Sequence, residues 1–300
     1  MGTSKKTKYF NYNIPIHFFF ITICLFLYIM PLLLIVSISF SDEKALLESG
    51  YQFIPKKISL TAYKYVLNNL EQILISYKVT ALQSVAGTFL AVLVMALCAY
   101  PLSRRSFTYR KPITIYIFFT MLFGGGIIPS YILNTKYLLL GNKIWIYILP
   151  AMAHAFYIII FRTFFQGLPI SLVESAKIDG ASEIRIFFRI VLPQSKPVLA
   201  TISLIFLLDR WNDWFTCLIY VRKQELYTLQ YLLQKILAEA EFISKLTLEA
   251  PAGISMSNFD IPTESIRFAM CIIAAGPMLM IFPFFQKYFT KGLVVGAIKE

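Results

Sequence analysis

Six stretches of the chain are so continuously apolar that no alternation with polar residues can be read through them: 14–38, 79–102, 112–133, 144–165, 198–220 and 268–289. A helix rises about 1.5 Å per residue and needs about 20 apolar residues to cross roughly 30 Å of hydrocarbon, so each stretch predicts a membrane span. The first contains Pro31 and lacks a small-x-small cleavage site, which reads as a span rather than a cleaved leader. Between the spans the pattern becomes periodic. After Thr61, residues Tyr63, Val66, Leu67, Leu70 and Leu74 share one helical face and predict an amphipathic helix at an interface. Thr228 is placed to cap a second such helix, with Leu229, Leu232, Leu233, Ile236, Leu237 and Ala240 on one face. Residues 250–262, APAGISMSNFDIP, are rich in turn formers and read as an irregular loop.

One stretch interrupts the apolar pattern differently. Residues 174–197, ESAKIDGASEIRIFFRIVLPQSKP, are polar and lie between two spans. Ser171 stands three residues before Glu174, the spacing of a capping box, so a helix is expected from there to Asp179, with Gly180 ending it in the left-handed conformation. A second helix is expected from Ser182, carrying Ile184, Phe187, Phe188 and Val191 toward the bilayer, with Pro193 and Pro197 marking the bend into the fifth span. The first helix is too short to be stable alone in water. Its apolar residues Leu172, Val173, Ala176 and Ile178 must be covered, partly by neighbouring spans and partly by a partner.

Composition agrees with the pattern. The chain is 58% hydrophobic and 16% aromatic, with a mean hydropathy of +0.67, far from the makeup of a soluble domain. Charge then orients it. Placing the N-terminus in the cytoplasm puts 15 cations and four acids on that side, against 12 cations and 10 acids on the other, spread mostly over two long loops. Basic density in short flanks orients a helix, so both termini are expected in the cytoplasm. The expected organisation is a cytoplasmic N-terminus at 1–13, a first span at 14–38, an external segment at 39–78, a core of five spans at 79–290 with a cytoplasmic loop at 166–197 and an external loop at 221–267, and a cytoplasmic tail at 291–300. The formal charge of +12 is explained by these flanks and by anionic lipid, and gives no ground for nucleic-acid binding. The four cysteines fall in four different spans with no metal-ligand spacing.

Catalytic chemistry is hard to place in this chain. No GxxxxGK[ST] loop occurs, so ATP phosphates cannot be cradled by a P-loop here, and energy must come from another subunit. His17 and His154 are the only histidines, with no acid and nucleophile at a suggestive spacing. The fifth span holds Asp209, Arg210 and Asp213 in its outer half, where charges normally face a bundle interior or a watery cavity. Trp211, Asn212, Asp213 and Phe215 combine aromatic faces with planar polar groups, the kinds that recognise sugars; the competing reading is a local Arg210–Asp213 ion pair beside interfacial tryptophans. Gly124, Gly125 and Gly126 permit either close helix packing, the commoner use, or a break facing a pathway.

Glu174, Ser175 and Ala176, then three residues, Gly180, nine residues, and Ile190, Val191, Leu192 and Pro193 resemble the EAA loop of bacterial ATP-binding-cassette importer permeases, with Ser175 where Ala is usual. Trp211 to Phe215 resemble an element of the fifth span of sugar permeases, as do LYTLQ at 226–230 and FFQKYFTKGLVVGAIK at 284–299. The resemblance implies an all-α integral membrane protein of six transmembrane helices, with the type I importer permease fold and a cytoplasmic coupling helix. Carried over, Glu174, Ser175, Ala176, Asp179, Gly180, Ala181, Leu192 and Pro193 would dock and couple to an ATPase, and Trp211, Asn212, Asp213 and Phe215 would line the substrate path. It further implies a second homologous permease, two ATPase subunits carrying ATP and magnesium, and an extracytoplasmic sugar-binding protein, with no cofactor or catalytic residue in this chain, in the cytoplasmic membrane of a bacterium. An oligosaccharide is the expected cargo. The alternatives are an importer permease for a non-sugar solute and a secondary transporter, though the latter would need paired charges over several spans.

Overall fold

The computed structural model describes residues 13–68, 70–249 and 263–297, all of whose regular structure is helical. The predicted loop at 250–262 lies outside the described residues. Among the described residues, three helices are each long and apolar enough to cross a membrane, within Phe18–Ser39, Leu70–Ser103 and Thr263–Ile281, and three further bent helix pairs bring the number of candidate spans to six when each pair is counted as one span.

The chain divides into two compact units, one from residues 1–68 with 239–273 and the other from 69–238 with 274–300. In the first, α1 (Asn13–Ser39) exposes most of its apolar side chains from Phe18 to Val36, and burial begins at Ser37. Two short helices follow, α2 (Glu43–Ser49) and α3 (Thr61–Leu67). The Glu43 carboxylate reaches across this unit to accept from the backbone N–H groups of Glu264 and Ser265, each at 3.0 Å, and from Ser265 Oγ at 2.7 Å. A helix N-terminus leaves its first N–H groups without partners, and this carboxylate satisfies two of them.

The second unit is built on α4 (Leu70–Ser103), 34 residues long. Ala91, Met95, Ala99 and Leu102 recur at helical spacing and are buried, and small residues there let other helices approach closely. Against them pack α8 (Ala155–Gln166), through Phe161 and Phe165, and α12 (Lys196–Trp211), through Ile202 and Phe206.

Several expectations are corrected. The amphipathic helix after Thr61 stops at Leu67, and Leu70 and Leu74 belong to α4, which begins nine residues before the predicted span. The third span breaks between α5 (Arg110–Leu122) and α6 (Ile127–Ile132), so that Arg110–Leu122 and Ile127–Tyr137 meet at 111°. Gly126 there has φ of 85°, and a Cβ on it would touch nothing within 4 Å, so these glycines serve a bend and not close packing. The fourth span breaks between α7 (Trp145–Ile148), which passes into a short turn holding Pro150, and α8, at 50°. The fifth ends at Trp211 and resumes as α13 (Phe215–Tyr220), because Asp213 accepts from Thr216 N–H at 3.0 Å and starts a new helix. Thr228 does not cap α14 (Leu229–Glu249) with its side chain; its hydroxyl donates to the Asp213 carbonyl at 3.0 Å, and Thr80 Oγ1 of α4 accepts from Leu229 N–H at 2.8 Å instead. The predicted tail is largely helical, since α15 (Thr263–Ala297) continues through it.

Candidate functional site

The polar stretch forms a hairpin of short helices. Its first arm, α9 (Ile170–Ile178), starts directly after Pro169, whose ring fixes an entry φ of −57°. The expected capping box is therefore absent: Ser171 sits inside the helix, and its carbonyl accepts from Ser175 Oγ at 2.9 Å. The far end is as predicted. Gly180 has φ of 75°, its N–H donates to the Lys177 carbonyl at 3.0 Å, and Ala181 N–H donates to the Ala176 carbonyl at 2.9 Å. This pair of bonds closes the helix C-terminus and reverses the chain. Ser182 then caps α10 (Glu183–Ile186), accepting from Arg185 N–H at 3.4 Å.

The second arm passes from α10 through a wider turn at Phe187–Val191 and α11 (Leu192–Gln194), meeting α12 at 79° across Ser195. Of the residues predicted to face the bilayer, Phe187 and Val191 are buried in the core of the second unit, while Ile184 is exposed and Phe188 partly so. Of the predicted face of α9, Val173 is buried and Ala176 packs against the same core, but Leu172 is substantially exposed and Ile178 is 88% exposed. One bond joins the arms and a second ties them to α4. Lys177 Nζ lies 2.6 Å from Glu183 Oε1, and Tyr100 Oη of α4 donates to Glu183 Oε2 at 2.6 Å. These contacts, the lysine first, hold the Glu183 carboxyl below its ordinary pKa.

At the opposite end of α12 lies a cavity of about 600 Å³, within the usual size range of ligand pockets. Tyr157, Phe206, Phe215 and Tyr220 give it aromatic walls, and Ser130, Asn134, His154, Asp209 and Arg210 give it polar ones. Tyr157 Oη is 3.4 Å from Asp209 Oδ2, and Asn134 Nδ2 is 3.3 Å from Tyr220 Oη. Arg210 Nη1 is 3.2 Å from Asp213 Oδ2, the local pair that the sequence spacing allowed. Of the four residues expected on the path, only Phe215 lines this cavity. Trp211 is 4% exposed, with its indole N–H donating to the Ala274 carbonyl at 2.9 Å. Asn212 joins Gln230, and Asp213 organises the backbone and Arg210. Tyr157 and Asn134 were missed, and His154 was noted but not placed in a site; the legible signal was a polar or amphipathic side chain inside an apolar run, strongest at Asp209.

The chain matches the family of binding-protein-dependent transport system inner membrane components over residues 8–295. Protein LplC of Bacillus subtilis strain 168 is 40% identical over 271 residues, covering 90% of this chain and 89% of that protein. The polygalacturonan/rhamnogalacturonan transport system permease protein YtcP of the same organism is 36% identical over 271 residues, covering 90% and 92%. A crystal structure of a bacterial ABC transporter involved in the import of the acidic polysaccharide alginate superposes with a TM-score of 0.75 at 27% identity, covering 96% of this chain and 100% of that one. The chain thus joins a reversing polar hairpin to a polar-aromatic cavity through one helix, and it belongs to the binding-protein-dependent transport system inner membrane components.

Proposed function

We propose that this chain is one permease subunit of an ATP-binding-cassette importer, that it moves an oligosaccharide by alternating access, and that the hairpin is where the ATPase acts on it. The observation that carries the reading is the hairpin itself: a nine-residue helix, closed by Gly180 in the left-handed conformation, that leaves Ile178 88% exposed. A helix this short is not self-sustaining, and an exposed isoleucine at its tip is suited to a groove on another protein. Glu174, Ser175, Asp179, Gly180 and Ala181 lie on or next to that tip, and Leu192 and Pro193 on the return arm. Phe187 and Val191 fix the return arm in the core, and α12 carries its displacement toward Phe206, Asp209 and Arg210 at the cavity wall. The cavity supports a sugar cargo through aromatic walls beside a carboxylate, and so do the relatives named for polygalacturonan and alginate.

The full importer has a second, related permease, two ATPase subunits that hold ATP and magnesium, and an external binding protein. Both termini of this chain lie in the cytoplasm, and the hairpin with them. The test is Gly180→Val in the complete transporter reconstituted with its binding protein. A β-branched residue is strained at positive φ, so the turn is expected to open, with assembly retained and uptake and binding-protein-stimulated ATP hydrolysis falling about tenfold. Unchanged uptake and hydrolysis would remove the hairpin from coupling. Mass spectrometry of the ligand held by the co-purified binding protein tests the cargo, and an amino acid, metal or phosphate there would replace the sugar.

A further inference from the structure

We propose that this chain holds an anionic phospholipid at the end of the bundle that bears the hairpin, with Arg104, Arg105 and Arg110 taking the phosphate and an adjoining apolar groove taking the acyl chains. Three helix ends meet there: α4 ends at Ser103, α5 begins at Arg110 and α8 ends at Gln166, and the three helices pack against one another. A cavity of about 310 Å³ opens among them, with Ser103, Gln166 and the three arginines in its wall. A second cavity, of about 350 Å³, shares Arg104 as a wall and is otherwise lined mainly by apolar side chains, among them Leu97, Pro101, Phe107 and Phe187. One cavity is basic, its neighbour is apolar, and one guanidinium borders both.

That guanidinium is incompletely satisfied. It lies over the Tyr100 ring at 4.6 Å, yet its Nε and Nη2 are buried and meet no hydrogen-bond acceptor. Buried donors left open are costly, and a guanidinium carries a planar fork that matches a phosphate. Among the described residues, Arg104, Arg105 and Arg110 form no ion pair. Glu183 borders the apolar cavity but is already engaged by Lys177 and Tyr100. The N-terminus of α5 adds to the positive field: no acid stands in its first turn, no side chain caps it, and it opens on Arg110 and Lys111. A helix start with that composition favours an anion.

Orientation by basic flanks does not account for this arrangement, because topology requires cations near the interface and not a guanidinium with buried, open donors such as Arg104 carries. Nor is Arg104 needed at the last carbonyls of α4, where Arg162 Nε already donates to the Leu102 carbonyl at 3.1 Å. Free phosphate and a lipid headgroup would use the arginines alike. The apolar second cavity, with Leu97 and Ile184 exposed at it, favours the lipid. Basic pockets between transmembrane helices are established headgroup sites. The site rests on membrane embedding, and only its leaflet rests on the orientation proposed above.

The complete transporter, placed in nanodiscs of phosphatidylcholine with a minor share of phosphatidylglycerol, tests this by native mass spectrometry of retained lipid. The wild type is expected to enrich phosphatidylglycerol, Arg104→Gln with Arg110→Gln to lose about tenfold of that enrichment, and Arg105→Gln about threefold. Lys136→Gln with Lys143→Gln removes equal charge elsewhere and is expected to change nothing. Retention of phosphatidylglycerol by an assembled Arg104/Arg110 variant, or equal loss in the Lys136/Lys143 control, overturns the proposal. Should the double variant fail to assemble, Arg105→Gln and Ile184→Ser decide, and unaltered enrichment in both overturns it. Displacement of the lipid from wild type by excess soluble glycerol phosphate would assign the pocket to a free phosphate and likewise overturn it.

Discussion

The two ends of α12 finish in opposite ways. Beyond its C-terminus, the segment from Trp211 to Leu229 turns nearly all of its bonding capacity inward. Trp211 donates to Ala274, Thr228 to Asp213, Leu229 to Thr80 Oγ1 and Gln72 to the Gln224 carbonyl, while Asn142 Oδ1 accepts from Arg222 N–H. Before its N-terminus, the hairpin closes its own backbone at Gly180 and Ser182 yet leaves Ile170, Leu172, Ile178 and Ile184 exposed. Polar groups are largely matched at both ends, but apolar surface is most open at the hairpin, where Ile178 is 88% and Ile184 73% exposed, against 41–43% for Trp214, Phe215 and Leu218 in the elbow. The elbow is tied chiefly to this chain by long-range bonds, whereas the hairpin, on the function proposed above, is finished by another molecule.

This contrast is broken most forcefully at Trp211. A buried indole reduced to alanine leaves a large cavity, so Trp211→Ala is expected to cost about 3–5 kcal/mol, seen as a drop in thermal midpoint of the purified complex. Trp211→Phe should recover most of that, because it restores the ring contacts with Tyr77 and loses the bond to Ala274. Reduced uptake at undiminished stability in Trp211→Ala would instead return this residue to the substrate path. Thr80→Val is the next largest. It removes the acceptor of Leu229 N–H at a buried helix start and is expected to cost about 1–3 kcal/mol by the same measurement.

How much of this was visible beforehand differs between the two ends for physical reasons. The hairpin was legible because its rules are local: a Gly at a left-handed position and a Ser before a helix act through their own backbone neighbours. Even so, Ser171 was misassigned, because Pro169 begins the helix before that serine can cap it. The elbow was poorly legible because its bonds are long-range. Nothing near Leu229 announces that Thr80, 149 residues earlier, accepts its N–H. Apolar runs reveal where helices lie but not their breaks, so the bend at Gly126 stood only as the less common of two readings and the one at Asp213 emerged only in three dimensions. The cavity fared likewise: Asp209 stood out as a charge in a span, while Tyr157 looked like any aromatic residue.

The hairpin side of the contrast is sharpened by Ile178→Asp. An exposed side chain contributes little to the stability of the permease, so the thermal midpoint of the chain in detergent is expected to stay constant, within about 0.5 kcal/mol. Binding of the ATPase is expected to weaken about tenfold, since burying an unpaired charge in an apolar groove is unfavourable. Ala-scanning of Ile170 and Leu172 should give smaller losses in the same direction. An Ile178→Asp permease that binds the ATPase normally but has lost stability would mean that the tip is covered by this chain after all.

The smallest effect concerns what holds the two arms of the hairpin together. Lys177 and then Tyr100 depress the Glu183 pKa, so the folded value lies below the unfolded value of about 4.3. Stabilisation from such a group is fully present above the unfolded pKa and is lost as the pH falls through the folded one. It is therefore intact at neutral pH and fades only in strong acid. The pair is largely exposed, and solvent screening limits it to roughly 0.5 kcal/mol. Hydrogen exchange across residues 177–189 is expected to rise slightly as the pH is lowered past 4, after correction for intrinsic rates. Glu183→Gln should show raised exchange at neutral pH and no further acid dependence. If the wild-type segment loosens near neutral pH, a different group titrates there and the Lys177–Glu183 clasp is not what sets the spacing of the arms.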